Sequence, residues 1–281
     1  MSPTLLSSKQ LSKLIPKRPR DSHKGMFGTV AVIGGQRGML GAPLIAARAA
    51  LKLGAGCVHA GLLADNAPGV DMLQPELMLH SAPDALRLPG VDVFAIGCGM
   101  GTDLSAHKIL YDALHSAAAL VLDADALNIL AKRPDLRALL GARKAATVLT
   151  PHPGEAAHLL ACETTDVQAN RHAAAQELRK RFHSSVVLKG ADSVCATSDG
   201  KSFINKTGNP GMSAPGMGDV LTGMIAAFIA QGMSADDALL LAVYLHGAAG
   251  DELAKQQAGI GMTATEVTEW ARWLLNQLAS N

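Results

Sequence analysis

The stretch NKTGNPGMSAPGMGDVLTG, Asn205–Gly223, holds five glycines and two prolines in nineteen residues and runs directly into an apolar, helix-like segment. Glycine lets the backbone approach a ligand closely and adopt positive φ angles. The unpaired amides at the start of a helix carry partial positive charge and bind anions. Gly216 and Gly218 are therefore predicted to hold a phosphate group at the start of a helix that begins near Asp219.

Asp219 is the only carboxylate in this stretch, and a carboxylate beside a bound phosphate costs Coulomb energy. We interpret Asp219 as the group that accepts a proton from an attacking hydroxyl. The alternative is a helix N-cap, for which Asp is a favoured residue, but capping does not explain the preceding glycines. The stretch is not a Walker A loop, because no Gly-Lys-Ser/Thr follows, and GxGxxG is absent after the first predicted strand, where GGQRG occupies positions 34–38.

Upstream of this loop, short β-branched runs alternate with Ala/Leu-rich helical runs, and each predicted strand ends in a polar or glycine-rich turn. The predicted strands are Thr29–Ile33, Cys57–Leu62, Val91–Ile96, Ala119–Leu122, Ala146–Leu149 and Ser185–Lys189. This repetition predicts an α/β fold with a mostly parallel central sheet and helices on both faces. An Asp199-Gly200 pair between Val194–Thr197 and Ser202–Ile204 predicts a hairpin, and hence some antiparallel strands in the C-terminal half.

Length and composition restrict the remaining possibilities. The 281 residues show no linker-like shift in composition, so we expect one domain over residues 1–281, with 1–24 as an N-terminal segment. Net charge is +1 and only 3% of residues are aromatic, which argues against nucleic-acid binding. No window approaches the roughly 20 apolar residues of a membrane span, and the four cysteines lack a metal-binding spacing. We therefore expect a cytoplasmic protein whose thiols are reduced and structural.

Six motifs stand in order between about residues 12 and 275. They are SHKGMFGTVAVIGGQRGMLGAPLIAARAALKLGAG (22–56), AIGCGMGTD (95–103), VLDADALN (121–128), LTPHPGEAAHLL (149–160), VVLKGADSV (186–194) and GNPGMSAPGMGDVLTGMIAAFIAQG (208–232). Together they resemble the ADP-dependent NAD(P)H-hydrate dehydratases, a branch of the ribokinase-like superfamily, in the stand-alone form without the fused epimerase domain of some members. The resemblance implies a ribokinase-like fold and removal of water from NADHX or NADPHX at the expense of ADP, giving NAD(P)H, AMP and phosphate.

The resemblance also implies roles for individual residues. Asp219 would accept the hydroxyl proton and contact the hydrated cofactor. The other positions that match hydrated-cofactor contacts are Ala42, a glycine of the pair Gly99 and Gly101, and His152. The positions that match adenine-nucleotide contacts are Lys189, Gly190, Ala191, Asp192, Ser193, Gly216 and Gly218. Lys189 would act as a point charge for phosphate, or alternatively pair with a surface carboxylate.

Some roles stay open at this level. His152 is a candidate base for the proton at ring carbon C5, or a histidine that fixes its turn. Asn128 and Glu155 could order Mg²⁺ through water. Alternatively, they cap the starts of helices and pair with the helix dipoles. Pro215 stands where the family usually has glycine, and proline removes an amide donor. If that amide contacts phosphate in relatives, nucleotide binding or loop closure is expected to be weaker here.

The expected co-substrate is ADP, or ATP, with Mg²⁺. We expect the chain to form a homo-oligomer, specifically a tetramer, and to work with a separate NAD(P)H-hydrate epimerase. We expect no binding to nucleic acid or to a membrane. The nearest alternative is a kinase of the same superfamily that phosphorylates the alcohol of a vitamin precursor. A nucleotide-sensing regulatory protein is the other alternative, although it would gain nothing from a carboxylate beside phosphate.

Overall fold

The computed structural model describes residues 3–256 and 259–280. Ten strands form one sheet in the order β1-β10-β9-β8-β7-β6-β5-β2-β3-β4. The strands are β1 (Thr4–Leu5), β2 (Thr29–Gly34), β3 (Cys57–Leu62), β4 (Met78–Ser81), β5 (Val93–Ile96), β6 (Ala119–Leu122), β7 (Thr147–Leu149), β8 (Ser185–Leu188), β9 (Val194–Ala196) and β10 (Ser202–Ile204).

Strands β2 to β8 pair in parallel, while β9 runs antiparallel to both β8 and β10. The predicted mostly parallel sheet with antiparallel strands in the C-terminal half is confirmed. The turns that follow the parallel strands consequently meet at one edge of the sheet, which is where ligands bind in folds of this kind.

Twelve α-helices complete the described part of the fold. They are α1 (Ser8–Leu11), α2 (Gly41–Lys52), α3 (Ala82–Leu86), α4 (Leu104–Leu114), α5 (Ala124–Lys132), α6 (Pro134–Ala142), α7 (Pro153–Leu160), α8 (Thr164–Ala169), α9 (Arg171–Phe182), α10 (Met217–Ala230), α11 (Ala235–Gln256) and α12 (Ala264–Ala279). Within residues 3–256 and 259–280, none of the helices is both long enough and apolar enough to cross a membrane.

The core lies in two layers, one on each face of the sheet. In β2, Val30 and Val32 pack into one layer with α2, α10, α11 and α12, whereas Ala31 and Ile33 pack into the other with α3 to α9. A strand that is buried on both faces carries apolar side chains at successive positions rather than alternating ones. This explains why TVAVI is continuously apolar.

The N-terminal segment is more closely attached to the fold than the sequence suggests. Strand β1 pairs in parallel with β10, at one end of the sheet. The Arg18 guanidinium donates hydrogen bonds to the Gly54 carbonyl at 2.6 Å and to the Gln231 side chain at 2.7 Å, and it lies 3.8 Å from the centre of the Phe27 ring. The exposed Arg18 side chain therefore ties this segment to the ends of α2 and α10.

Candidate active site

The first half of the glycine-rich stretch, residues 205–212, is bound to helix α11. The Asn205 side chain donates to the Val243 carbonyl at 3.2 Å, and the Thr207 hydroxyl donates to the Tyr244 carbonyl at 3.0 Å. The Asp251 carboxylate accepts from the Gly208 amide at 2.8 Å and from the Asn209 side chain at 3.1 Å. A Cβ atom at Gly247 would lie 2.3 Å from the Thr207 hydroxyl. This half of the loop is thus fixed against α11 by side chains and close backbone contact.

The second half leads into α10 and leaves its first amides unpaired by the helix. Gly216 is the N-cap, with φ of +88° and no side-chain capping bond, and its carbonyl accepts from the Val220 amide at 3.0 Å. The amides of Met217, Gly218 and Asp219 precede that first bond, so they can bind an anion. The helix begins two residues earlier than predicted. Pro215 is exposed and lies outside these three amides.

We expect Gly216→Ala to lower the affinity for ADP by about tenfold or more, which corresponds to about 1.4 kcal/mol. A side chain there must adopt positive φ, and its Cβ would lie 2.9 Å from the Cβ of Ala264 and 3.0 Å from Ile45. Gly232 is a matched control, because its φ is +90° and a Cβ there meets nothing within 4 Å. Calorimetric titration with ADP tests both variants. Equal affinities in Gly216→Ala and Gly232→Ala would contradict a phosphate site at α10.

A buried ion pair lies directly beside this helix start. The Lys189 ammonium, at the end of β8, donates to one oxygen of Asp123 at 2.6 Å, and the Thr222 hydroxyl donates to the other at 2.9 Å. The Asp123 side chain is only 2% exposed. Burial alone would raise the pKa of Asp123, but Lys189 and the hydrogen bonds hold that pKa below its usual range. The partner of Lys189 is therefore a buried carboxylate, not the surface carboxylate weighed above.

Asp219 lies next to this pair. One oxygen of Asp219, one oxygen of Asp123 and the Cys98 sulfur all lie within 4.8 Å of one another. Burial raises the pKa of Asp219 to about 6, so its proton affinity is closer to neutrality than that of an exposed carboxyl. Gly216, not Asp219, is the N-cap of α10. The capping alternative for Asp219 is therefore wrong, and the carboxylate is placed to exchange a proton beside the anion-binding amides.

Three of the predicted hydrated-cofactor positions, Ala42, Gly99 and Gly101, lie together next to Cys98. A Cβ atom at Gly99 would be 3.2 Å from the Cβ of Ala42, and the Gly99 carbonyl accepts from the Gln36 amide at 2.7 Å. Gly101 packs on the Gln36 side chain, and its amide donates to Asp125 at 2.8 Å. The loops that follow β2 and β5 therefore form one wall, close to Asp219.

His152 is the N-cap of α7, and Glu155 completes a reciprocal capping box. The Nδ1 atom of His152 accepts from the Gly154 amide at 3.0 Å and the Glu155 amide at 3.2 Å, while its Nε2 lies 3.3 Å from a Glu155 oxygen. A neutral imidazole with an accepting Nδ1 carries its proton on Nε2. The basic nitrogen, Nδ1, is therefore occupied by two backbone amides, which supports the turn-fixing role of His152 over that of a base.

The two residues predicted to order Mg²⁺ fit that role poorly as direct ligands. Glu155 accepts from the His152 amide at 2.8 Å and lies 4.0 Å from the Lys189 ammonium, and burial raises its pKa to about 7. Asn128 lies in the interior of α5, where its side chain donates to Asp125 at 3.4 Å. In the part of the chain that the structure describes, Glu155 does not belong to a group of three His, Cys, Asp or Glu side chains that could hold a metal ion. Contact with Mg²⁺ through water stays a prediction for both residues.

The turn 190–193 lies outside the buried cluster. Gly190, Ala191 and Asp192 are exposed, Asp192 pairs with Lys206, and the Ser193 hydroxyl donates to the Gly190 carbonyl at 2.9 Å. The turn directly follows Lys189, so it forms the rim of the site.

Sequence reasoning missed four residues around the site. Asp123 directly follows a predicted buried strand, so its position could have marked it as a site residue. No comparable pattern marked Thr222 or Cys98. The Cys98 side chain is fully buried against Asp219, so the general interpretation of the cysteines as structural does not account for it. His246 of α11 has a buried Nε2 atom without a hydrogen-bond partner, and burial lowers its pKa to about 4.

Comparison with known proteins agrees with this arrangement. A family model described as NAD(P)H-hydrate dehydratase matches residues 30–272. The chain is 43% identical over 269 residues to an ADP-dependent (S)-NAD(P)H-hydrate dehydratase of Neisseria meningitidis, covering 94% of this chain and 90% of that protein. It is 38% identical to a bifunctional NAD(P)H-hydrate repair enzyme of Coxiella burnetii, of whose length it covers 55%. The crystal structure of the ADP/ATP-dependent NAD(P)H-hydrate dehydratase of Bacillus subtilis superposes with a TM-score of 0.88 at 27% identity, covering 99% of both chains.

The mostly parallel sheet, and the glycine-capped helix α10 with Asp219 in its first turn, are those of an α/β protein of the ribokinase-like class. A ribokinase-like superfamily protein of Enterococcus faecalis shares this fold, with a TM-score of 0.84 at 29% identity. Within that class the chain belongs to the NAD(P)H-hydrate dehydratase family.

Proposed function

We propose that this protein dehydrates hydrated NAD(P)H at the expense of ADP, releasing NAD(P)H, AMP and phosphate. The observation that carries the proposal is the position of Asp219, whose carboxylate lies at the start of α10 beside three amides that the helix leaves unpaired. Membership of the family, and 43% identity to a relative named for this activity, support the same assignment.

The proposed chemistry follows from leaving-group ability. Hydroxide leaves carbon poorly, whereas phosphate leaves well. Asp219 accepts the proton of the C6 hydroxyl on the substrate ring. The hydroxyl oxygen attacks the terminal phosphorus of ADP, and AMP departs. The C6–O bond then breaks, phosphate takes the electron pair, and the ring nitrogen lone pair forms the iminium. Loss of a proton from C5 gives the C5–C6 double bond of NAD(P)H.

Each binding group in this scheme has a place in the site. The amides of Met217, Gly218 and Asp219 bind the transferring phosphoryl group, and the turn 190–193 contacts the nucleoside. Gly99, Gly101 and Ala42 form the wall for the nicotinamide part, and His152, at the start of α7, contacts the same substrate. Lys189 would contact phosphate as a point charge. It lies beside α10, where a Cβ at Gly218 would be 3.3 Å from its ammonium and 3.5 Å from an oxygen of its partner Asp123. Asp123 therefore offsets part of the positive charge that Lys189 presents to phosphate.

Mg²⁺ bound to the nucleotide phosphates would neutralise part of their charge, and phosphates with water commonly supply most of its ligands. The B. subtilis structure was obtained with ATP and Mg²⁺, which supports a metal-nucleotide complex as co-substrate. Asn128 and Glu155 would contribute through water at most. ADP is the preferred nucleotide in this proposal, in line with the name of the Neisseria relative.

The protein's setting is proposed from its relatives and its surface. The proposed setting is a cytoplasmic homo-oligomer, specifically a tetramer. Large apolar side chains such as Met72, Leu73 and Leu104 are mostly exposed, which favours association between copies of the chain. Bifunctional repair enzymes match this chain over about half of their length. This supports pairing with an epimerase activity that interconverts the hydrate epimers.

The test is incubation with hydrated NADH and ADP, following recovery of the dihydronicotinamide absorbance. We expect recovery with stoichiometric release of AMP and phosphate. A hydroxyethylthiazole kinase of Pyrococcus horikoshii shares the fold, with a TM-score of 0.63 at 17% identity, so vitamin-precursor alcohols are the comparison substrates. Absence of recovery together with a stable phosphoester product would overturn the proposal in favour of a kinase. Binding without any turnover would point to a nucleotide sensor.

A further inference from the structure

Cys98 is held in a fixed position between two unusual backbone conformations. Its neighbours Gly97 and Gly99 have φ of +127° and +56°. The Cys98 carbonyl accepts from the Gly35 amide at 3.1 Å, and a Cβ at Gly34 would lie only 2.1 Å from that carbonyl oxygen. The end of β2 therefore fixes the Cys98 backbone, and the side chain has no solvent exposure.

The fixed side chain points at the proton acceptor. The Cys98 sulfur lies within 4.8 Å of one carboxylate oxygen of Asp219 and one of Asp123, so the buried thiol faces the Asp219 carboxylate. Burial and the two carboxylates hold the pKa of Cys98 well above its usual range, so the thiol keeps its proton. A protonated thiol facing a carboxylate can act only as donor.

The groups that face Asp219 come from three other elements. Burial raises the pKa of Asp219, and the Cys98 thiol, from the loop after β5, is the largest influence that lowers it. Asp123, after β6, raises that pKa, and Lys189, at the end of β8, lowers it. Lys189 and Asp123 are paired with each other, so their effects on Asp219 oppose one another. Cys98 is the uncharged donor directly on Asp219.

We propose that Cys98 is a positioning residue for the reaction: its thiol holds the Asp219 carboxylate ionised and oriented toward the substrate hydroxyl. The inference rests on the proposed role of Asp219 in dehydration. Activity requires ionised Asp219, so it falls as the pH drops through the pKa of Asp219. Without the thiol, that loss begins at a higher pH.

The experiment compares the full-length protein with Cys98→Ala, Cys98→Ser and Cys195→Ala. Cys195, in β9, is a matched control: it is also fully buried, but burial alone raises the pKa of its thiol to about 12, with no carboxylate beside it. kcat/KM is measured from about pH 5 to about pH 9. In parallel, carbon-13 NMR follows the Asp219 carboxyl titration, with the resonance identified by its loss in Asp219→Asn.

We expect the acidic limb of the Cys98→Ala profile to move upward by about one pH unit, a tenfold loss of kcat/KM on the acidic side and much less on the alkaline side. Cys98→Ser keeps a donor and should retain the wild-type limb, and Cys195→Ala should lower stability without moving the limb. An unchanged NMR titration of Asp219 in Cys98→Ala, or an equal shift in Cys98→Ser, would overturn the proposal. If the wild-type protein lacks dehydratase activity, the proposed function fails, and the NMR titration still tests the contact.

Discussion

Asp219→Asn is expected to lower kcat for hydrate dehydration by about a thousandfold, within the range typical of removing a positioned acid or base. Asparagine has nearly the same shape but cannot accept the hydroxyl proton. The raised pKa of Asp219, about 6, shows a carboxylate whose burial increases its proton affinity while it remains mostly ionised at neutral pH. The affinity for ADP should change little, because the amides of Met217 and Gly218 belong to the backbone.

The measurement combines single-turnover dehydration with calorimetric titration of ADP. Asp112→Asn is the control, since Asp112 lies on α4 and pairs with Lys108 at the protein surface. It should leave both quantities unchanged. Wild-type turnover in Asp219→Asn would remove Asp219 from the chemistry. Loss of ADP binding alone would make it a nucleotide-binding residue.

Asp123→Asn is expected to lower the free energy of unfolding by about 3 to 5 kcal/mol, the usual cost of removing one partner of a buried ion pair. The substitution leaves the Lys189 ammonium, now 20% exposed, without its counter-charge and weakens the bond from Thr222. Lys189→Met should have a comparable effect, because it leaves the Asp123 carboxylate buried alone. The double variant Asp123→Asn/Lys189→Met should lose clearly less than the sum of the two single losses.

Urea unfolding of the four proteins provides this double-mutant cycle. The exposed pair Asp199 and Lys201 is the matched control, and Asp199→Asn should give little measurable change. Because the folded-state pKa of Asp123 lies below its unfolded value, the pair stabilises the protein above the unfolded pKa. That contribution is lost as the pH falls through the folded pKa. Additive losses in the cycle would contradict a stabilising pair.

The predicted secondary structure was most accurate where the pattern was locally strong. Cys57–Leu62, Ala119–Leu122 and Ser202–Ile204 have the predicted bounds. The last helix begins at Ala264 after the Thr263 cap, a start that local capping residues determine. Strands β1 and β4 were not predicted, because each is short and depends on pairing with a distant strand. The start of α10 was placed two residues late, since the left-handed conformation of Gly216 is a tertiary choice.

The sequence by itself determined the alternation of strands and helices, the glycine-rich start of α10, the carboxylate at Asp219 and the family. Local periodicity and short motifs carry that information because neighbouring residues share one element. Only the tertiary structure decided that Lys189 binds Asp123, 66 positions away, that Thr222 joins them from 99 positions away, and that the Cys98 thiol meets Asp219. Such contacts form where the ends of several strands meet one helix start. Their distances follow from how the whole sheet packs, which no local pattern encodes.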